Sequence, residues 1–150
     1  MTTPPPQKRD LLLFVYDSLM SGLPNSPRLA TATLLGPAAT EPHYHLVDLG
    51  PSVALVPGGT TSVRGELYSL DVTLLASLDI EKGHPVLHKR AIIRLEDGRE
   101  AQAYTLSPDQ ARARRRIHSG DYRAHTAPLE PASRTGAWSR WAKTRGRSAG

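Results

Sequence analysis

Two short segments of this sequence combine residue types that could carry out chemistry on a small molecule. The first, Tyr16-Asp17-Ser18-Leu19, follows an apolar run and enters a loop rich in serine, glycine, proline and asparagine. Backbone N–H groups at the end of a buried strand can form a concave anion site. The second, Leu78–Pro85, brings two acids, a lysine and a histidine close together. Charges this close shift one another's pKa, which can produce a proton-transfer group.

Simpler interpretations of both segments remain open from spacing alone. Leu78–Pro85 also fits an ordinary exposed helix end, where Lys82 favours the helix dipole. His43 and His45 alternate on a predicted strand and share a face. No carboxylate cluster and no HExxH pattern accompanies them, so we predict structural histidines and no metal or cofactor.

The sequence lacks the motifs of several common types of enzyme and binding site. The chain has no cysteine, which excludes disulfides, thiolate nucleophiles and cysteine–zinc sites. It also contains no Walker loop, no GxGxxG and no GxSxG elbow. Nucleotide binding and serine-hydrolase chemistry therefore have no support from motifs.

The elements that must position these segments are mostly strands. One helix is expected from Val72 to the stop at Gly83 and Pro85, with Asp71 as its N-cap. A second helix is expected over Ser107–Arg116. Apolar runs and alternation predict strands at Leu11–Tyr16, Thr31–Leu35, Tyr44–Leu49, Val53–Val56, Val63–Leu70, Val86–Leu95 and Glu100–Leu106. Helices do not regularly separate these strands, so we predict an α+β fold, a small mixed barrel-like sheet with one or two flanking helices.

Length and charge distribution indicate the domain organisation and the expected partners. The 150 residues fit one domain, which we place at 11–125, between a disordered segment 1–10 and a basic tail 126–150. Pro131–Gly150 holds five basic residues and no acid, which accounts for the whole net charge of +5. We interpret it as a solvated tail, in which Trp138 and Trp141 could share one side of a helical turn, and expect no nucleic-acid partner. Because no run of eighteen apolar residues occurs, we expect no membrane partner and a cytoplasmic protein. The abundance of alanine, arginine, glycine and proline is typical of GC-rich bacteria.

Five landmarks in order resemble the gamma-glutamylcyclotransferase-like family. Leu13–Leu19 reads LFVYDSL, close to the family's FVYG[ST]L. Further matches are Asp48–Gly58 with "DLG…PALVPG", Val63–Tyr68 with "VRGELY", Leu78–Arg90 with "LDxxEGxPxLYRR" and Ile117–Arg123 with "IPSGDWR".

This resemblance implies a compact mixed fold with a barrel-like core and a reaction that needs no metal or cofactor. Such enzymes cyclise a gamma-glutamyl group to 5-oxoproline and release an amine or amino acid. The loop after the first strand holds the substrate carboxylate through backbone amides, which makes Tyr16, Ser18 and Leu19 candidate substrate-binding residues. A glutamate at the "EG" of the helix end acts as general base and acid.

The sequence departs from the family pattern at three of these positions. Asp17 stands where the pattern has glycine, and Lys82 stands where the catalytic glutamate is expected. Glu81 is adjacent, but one residue is about 100° of helical rotation, so we expect its side chain to point elsewhere. His88 replaces the tyrosine of "LYRR". We take these four residues as candidate catalytic residues.

Three hypotheses follow. The first is a small-molecule enzyme with a rebuilt site that catalyses proton transfer with cyclisation or elimination on a metabolite, in a specialised biosynthetic pathway. The second is a genuine gamma-glutamyl(amine) cyclotransferase with Glu81 as acid and base. The third is a non-catalytic binding or accessory protein on the same fold.

Overall fold

A computed structural model of the chain describes residues 11–126. The predictions made for residues 1–10 and for the tail beyond 126, including its two tryptophans, lie outside this range. Within it the helices are α1 (Val72–Lys82), α2 (Tyr122–Thr126) and a short 3-10 helix at Ser26–Leu29. None of these helices is long and apolar enough to cross a membrane. The strands are β1 (Leu11–Val15), β2 (Thr33–Ala39), β3 (Tyr44–Asp48), β4 (Val53–Pro57), β5 (Arg64–Leu70), β6 (Lys89–Arg94), β7 (Glu100–Thr105) and β8 (Arg115–Arg116).

The sheet is mixed and its longer strands close into a ring. The order is β2-β5-β1-β7-β4-β3-β8, with β6 paired to β7 off this path. The end of β2 meets the end of β6, because Glu41 N donates to Arg94 O at 3.0 Å and Glu96 N donates to Ala39 O at 2.9 Å. Strands β2, β5, β1, β7 and β6 therefore return to β2, while β4, β3 and β8 extend the sheet. The predicted α+β fold with a barrel-like sheet is confirmed.

Strand β1 is covered on both faces, as its continuous apolar run predicts. Phe14 packs into the cluster that holds Leu55 and Leu67, whereas Leu13 and Val15 pack into the cluster beneath α1. A strand with two buried faces ends inside the protein, so the residues that follow it begin in a desolvated place. This position explains why Asp17, two residues past β1, is 3% exposed.

The helix α1 begins and ends where its capping residues predict. The Asp71 carboxylate accepts a hydrogen bond from Leu74 N at 2.9 Å, which satisfies a free amide of the first turn. Gly83 adopts the left-handed conformation at φ 70°, and its N–H donates to the carbonyls of Asp79 and Ile80. Leu75 and Leu78 are the buried residues of the helix.

The second predicted helix, Ser107–Arg116, is wrong. These residues form a series of turns that ends in strand β8, which pairs with β3. Ser107 N donates to Gln110 Oε1 and Gln110 N donates to Ser107 Oγ, the reciprocal pair that begins a helix, but the helix does not continue because Ala113 reverses the chain at φ 68°. The segment also lacks an apolar face, because Ala111 is the only one of its residues that is buried. The second helix is instead α2.

Two strands differ from their predicted ranges by more than one residue at an end. Strand β2 starts at Thr33 and continues through Pro37 to Ala39, two residues later and four further than expected. Proline is accommodated because β2 has its regular ladder with β5 on one side only. Strand β6 begins at Lys89, since Val86 and Leu87 belong to the turn that follows α1.

Candidate functional site

A buried ion pair joins the loop after β1 to the last residue of α1. Lys82 Nζ lies 2.9 Å from Asp17 Oδ2, and the two side chains are 21% and 4% exposed. The other oxygen, Oδ1, accepts a hydrogen bond from Leu19 N at 3.1 Å. The Lys82 ammonium also lies 5.9 Å from the centre of the Tyr104 ring. The pair therefore anchors the lysine between a carboxylate and an aromatic face.

The end of α1 is fixed to the sheet one turn before Lys82. Arg90 of β6 donates to both oxygens of Asp79, from Nε at 2.8 Å and from Nη2 at 3.0 Å. The Tyr104 hydroxyl donates to Asp79 Oδ1 at 2.7 Å. These hydrogen bonds, with that of Arg90 the strongest, lower the pKa of Asp79. Asp79 is three residues before Lys82 on the same helical face, so this network directs Lys82 toward Asp17.

An open cleft of about 350 Å³ lies over the exposed part of Lys82. Its wall is formed by Leu19, Asn25, Arg28, Glu81 and Lys82. Arg28, in the 3-10 helix, forms an ion pair with Glu81 across the cleft. Two cations and one carboxylate thus line a small polar concavity, with the Asp17 carboxylate behind Lys82. The charges are paired, and the N–H groups that remain outside the ion pairs can bind an oxygen of a ligand.

Glu81 and Lys82 both line this cleft, although helical rotation predicted that Glu81 would point elsewhere. The predicted difference in direction is present, but both side chains are long enough to border the same cleft. At the helix end the two heads diverge, Glu81 toward Arg28 and Lys82 toward Asp17, and the cleft lies between those contacts.

His88 lies behind the ion pair and is not part of the cleft wall. Its Nδ1 is 3.1 Å from the carbonyl oxygen of Lys82. Burial lowers the pKa of His88, and the Lys82 charge lowers it further against the opposing effects of that hydrogen bond and of Asp17. The imidazole is therefore biased toward its neutral form beside the pair.

The three predicted substrate-binding residues have different environments. The Tyr16 side chain is buried in the core, and its hydroxyl donates to Tyr104 O at 2.6 Å. The Ser18 hydroxyl accepts a hydrogen bond from Asn25 Nδ2 at 2.6 Å and shapes the loop. Leu19 contacts the cleft, but its amide is occupied by Asp17. The structure thus brings Leu19, Glu81 and Lys82 to the cleft, with Asp17 directly behind Lys82.

The sheet positions Tyr16 at a fork between parallel neighbours. Strand β7 pairs with β1 at Gln102 and then with β4 at Thr105, along the same edge. Between these two pairings the Tyr16 hydroxyl donates to Tyr104 O and accepts from Leu55 N at 3.1 Å. One side chain thus supplies the hydrogen bonds that the diverging strands cannot give each other.

Within residues 11–126 no group of three or more histidine, aspartate and glutamate side chains is arranged to hold a metal ion. The polar groups of the cleft are instead suited to proton transfer and anion binding. Lys82 can bind an oxyanion or donate a proton, and Glu81 can accept one.

Comparison with known proteins agrees with this architecture. The family model described as "Gamma-glutamyl cyclotransferase, AIG2-like" matches residues 13–124. The chain belongs to this family. A Vibrio cholerae protein, named provisionally as a gamma-glutamylcyclotransferase, is 40% identical over 111 residues, covering 74% of this chain and 94% of that protein.

Two further relatives show the range of the similarity. Gamma-glutamylaminecyclotransferase B of Danio rerio is 37% identical over 94 residues, which are 57% of this chain and 49% of that protein. The solution structure of protein ytfP from Escherichia coli superposes with a TM-score of 0.58 at 33% identity, covering 75% of this chain and 96% of that one. This chain therefore spans about half of the zebrafish protein and nearly all of the two bacterial proteins.

Sequence reasoning missed four side chains that shape the site of this cyclotransferase-family protein: Asn25, Arg28, Arg90 and Tyr104. The family pattern offered a signal for one of them, because Arg90 closes the landmark that begins at Leu78. Tyr104 lies in an apolar strand and Arg28 in an irregular loop, where neither periodicity nor spacing distinguishes them from ordinary core and surface residues.

Proposed function

We propose that this chain is a cofactor-independent enzyme that couples proton transfer to cyclisation or elimination on a small anionic metabolite, as part of a specialised biosynthetic pathway. The reaction takes place in the cleft between Glu81 and Lys82. The substrate class follows from the N–H donors of Arg28 and Lys82, which form part of the wall and bind a carboxylate or a developing oxyanion beside their ion pairs.

The observation that carries this proposal is the Asp17–Lys82 ion pair. These are the two positions at which the family resemblance leads us to expect glycine and a catalytic glutamate. Asp17 introduced alone would leave a buried charge without a partner, which costs about 3–5 kcal/mol. Together they neutralise each other at 2.9 Å. The two departures therefore act as one coupled change in the site and do not represent independent loss of its residues.

The roles we assign follow from the contacts. The Lys82 ammonium binds a substrate oxygen and supplies a proton to the leaving group. Glu81 accepts the proton released by the nucleophile, and exchange through solvent returns both groups to their starting states. Both Asp17 oxygens already accept hydrogen bonds, so Asp17 is a positioning residue for Lys82. His88 supports the Lys82 backbone from behind.

Two alternatives each have a supporting observation. Glu81 lines the cleft, which favours the cyclisation of gamma-glutamyl compounds with Glu81 as acid and base. The Asp17 carboxylate occupies the Leu19 amide, one of those that the resemblance assigns to the substrate carboxylate. An internal carboxylate on that amide favours a non-catalytic binding protein.

Variants that restore the family residues can separate these functions. Wild type, Lys82→Met, Glu81→Gln and the double variant Asp17→Gly/Lys82→Glu are incubated with gamma-glutamyl amides and with related anionic amino-acid amides and esters. Products are followed by mass spectrometry, and Lys89→Met, at an exposed lysine, is the charge-matched control.

We expect wild type to release no 5-oxoproline, to convert a different member of the panel, and to lose that activity in Lys82→Met but not in Lys89→Met. The double variant should gain 5-oxoproline release. If wild type releases 5-oxoproline and only Glu81→Gln abolishes it, the second hypothesis replaces the proposal. Stoichiometric binding of a panel member without turnover would favour the third.

A further inference from the structure

A second concavity lies at the β3–β8 end of the sheet order, away from the Lys82 cleft. It is bordered by His45 and Val47 of β3, by Arg116 of β8, and by the turns that lead into β8. Its volume is about 200 Å³, and it shares no residue with the Lys82 cleft. In the sheet order, β7 and β4 separate β3 from β1, so this pocket is independent of the site described above.

Three arginines and no carboxylate line this pocket. Arg112 contributes one guanidinium and forms an exposed ion pair with Asp109 at 2.7 Å. The side chains of Arg114 and Arg116 also line it, and neither makes a hydrogen bond or ion pair within residues 11–126. Like charges gathered around a concavity repel one another and raise the local concentration of anions. A bound anion would relieve that repulsion.

The histidine of this pocket adds a neutral hydrogen-bond donor. Burial, followed by the charge of Arg116, lowers the pKa of His45. Its Nδ1 is buried without a hydrogen-bond partner. A neutral imidazole can carry its proton on Nε2, on the other edge of the ring, and donate from there. Since Nδ1 is enclosed, that edge is the part of His45 available to the pocket.

The backbone of the turn places two of the arginines around the same space. Ala113 adopts a left-handed conformation at φ 68°, which costs a non-glycine residue about 1–2 kcal/mol. Arg114 N donates to Ala111 O at 3.1 Å and closes the turn. With this reversal between them, Arg112 and Arg114 both line the pocket instead of pointing apart. Backbone strain of this kind is concentrated at functional positions.

We propose that this pocket, formed by His45, Arg112, Arg114 and Arg116, binds a phosphate-bearing small molecule. Guanidinium groups match phosphate oxygens with paired hydrogen bonds, and several arginines can share a multiply charged group. The volume accommodates a phosphate or diphosphate and a small attached group. The buried residues Val47 and Ala111 supply an apolar floor for that group.

Calorimetric titration of the full chain tests the proposal with three probes: inorganic phosphate, pyrophosphate and ADP. The test variant is Arg114→Gln/Arg116→Gln. The matched control is Arg94→Gln/Arg99→Gln, which removes the same charge from arginines paired elsewhere with Glu100 and Asp97. Thermal unfolding of each variant establishes that it is folded before binding is compared.

We expect pyrophosphate or ADP to bind one to one, with at least tenfold weaker binding in the test variant and unchanged binding in the control. Pyrophosphate and ADP binding with equal affinity would show recognition of the phosphates alone, whereas tighter ADP binding would show that the floor contributes. Equal losses in both variants would attribute binding to net charge and overturn the proposal. Absence of binding at millimolar probe would also overturn it, as would binding of RNA that strengthens with length while pyrophosphate does not bind.

Discussion

The carboxylate of Glu66 holds Ser21 by two hydrogen bonds of 2.7 Å, one from the backbone N–H and one from the hydroxyl. Arg123 completes the contact, because its Nη2 donates to Ser21 O at 2.7 Å and to Glu66 at 3.2 Å. Partial burial alone would raise the pKa of Glu66, but the Ser21 hydrogen bonds and the Arg123 charge outweigh it, and the pKa is lowered. Strand β5 and helix α2 thereby fix the loop that carries Asp17.

Replacing Glu66 should loosen this loop. Glu66→Gln substitutes an amide N–H₂ for one acceptor oxygen, so at least one of the facing donors loses its partner. We expect a loss of about 1–3 kcal/mol in unfolding free energy, measured in urea. Hydrogen exchange at the amides of residues 17–25 should accelerate in the same variant. Glu100→Gln, at an exposed ion pair of 3.5 Å, should change stability by less than about 0.5 kcal/mol. Equal effects of the two substitutions would contradict the assigned role of Glu66.

Replacing only one partner of the Asp17–Lys82 ion pair should lower the free energy of unfolding substantially. Lys82→Met removes the partner of a carboxylate that is 4% exposed, and we expect unfolding free energy to fall by about 3–5 kcal/mol. The double variant Asp17→Asn/Lys82→Met removes the buried charge and should recover much of that loss. Lys89→Met, at an exposed position, is the control. Denaturant titration of wild type, Lys82→Met, Asp17→Asn and the double variant gives the coupling energy, and additive single effects would show that the two side chains do not interact.

Local patterns predicted the elements that carry the site but not its contacts. Some features depend only on residues that are close together in sequence, and the sequence was sufficient to predict them. These are the burial of both faces of β1, the N-cap at Asp71 and the end of α1 at Gly83. Asp17 and Lys82 are 65 residues apart, and only the folded sheet brings them together. The family resemblance drew attention to both residues because each departs from the pattern, but nothing in the pattern indicated that they form a pair.

The helix predicted over 107–116 shows where local propensity misleads the prediction. Its residues have good helical propensity, with alanines, a glutamine and several arginines. In the structure Ser107 and Gln110 form the hydrogen bonds of a helix start, but Ala113 reverses the chain at φ 68°, and Arg115 and Arg116 pair with β3. A strand partner distant in sequence thus overrides local propensity.

His88 should make stability depend on pH. Because its folded pKa lies below the usual 6.5, the unfolded chain binds more protons between these two values. The contribution of His88 is therefore fully present above pH 6.5 and is lost as pH falls through the folded pKa. Unfolding free energy should rise with pH in this window, by at most about 1.4 kcal/mol per unit from this residue. We expect His88→Asn to flatten the profile measured by urea titration at several pH values. His118→Asn, at an exposed residue, should leave the profile as in wild type.

The Tyr16 hydroxyl should contribute to the free energy of unfolding through two hydrogen bonds, one donated and one accepted. Burial, followed by the neighbouring Asp17 charge, raises the pKa of Tyr16, so the hydroxyl remains a donor to Tyr104 O. Tyr16→Phe leaves that carbonyl and Leu55 N unpaired in the core, where water cannot replace the lost hydroxyl. At about 1–3 kcal/mol for each of the two groups, we expect a loss of roughly 2–6 kcal/mol in unfolding free energy.

The matched control for this prediction is Tyr44→Phe, whose hydroxyl makes no hydrogen bond within the part of the chain described. It should change stability by less than about 0.5 kcal/mol. Because the hydroxyl bridges the fork between β1 and β4, the loss at Tyr16 should be accompanied by faster hydrogen exchange at Leu55 N and Leu106 N, the amides on either side of that fork. A Tyr16→Phe protein as stable as the control, with those amides still protected, would mean that the diverging strands hold together without the bridge.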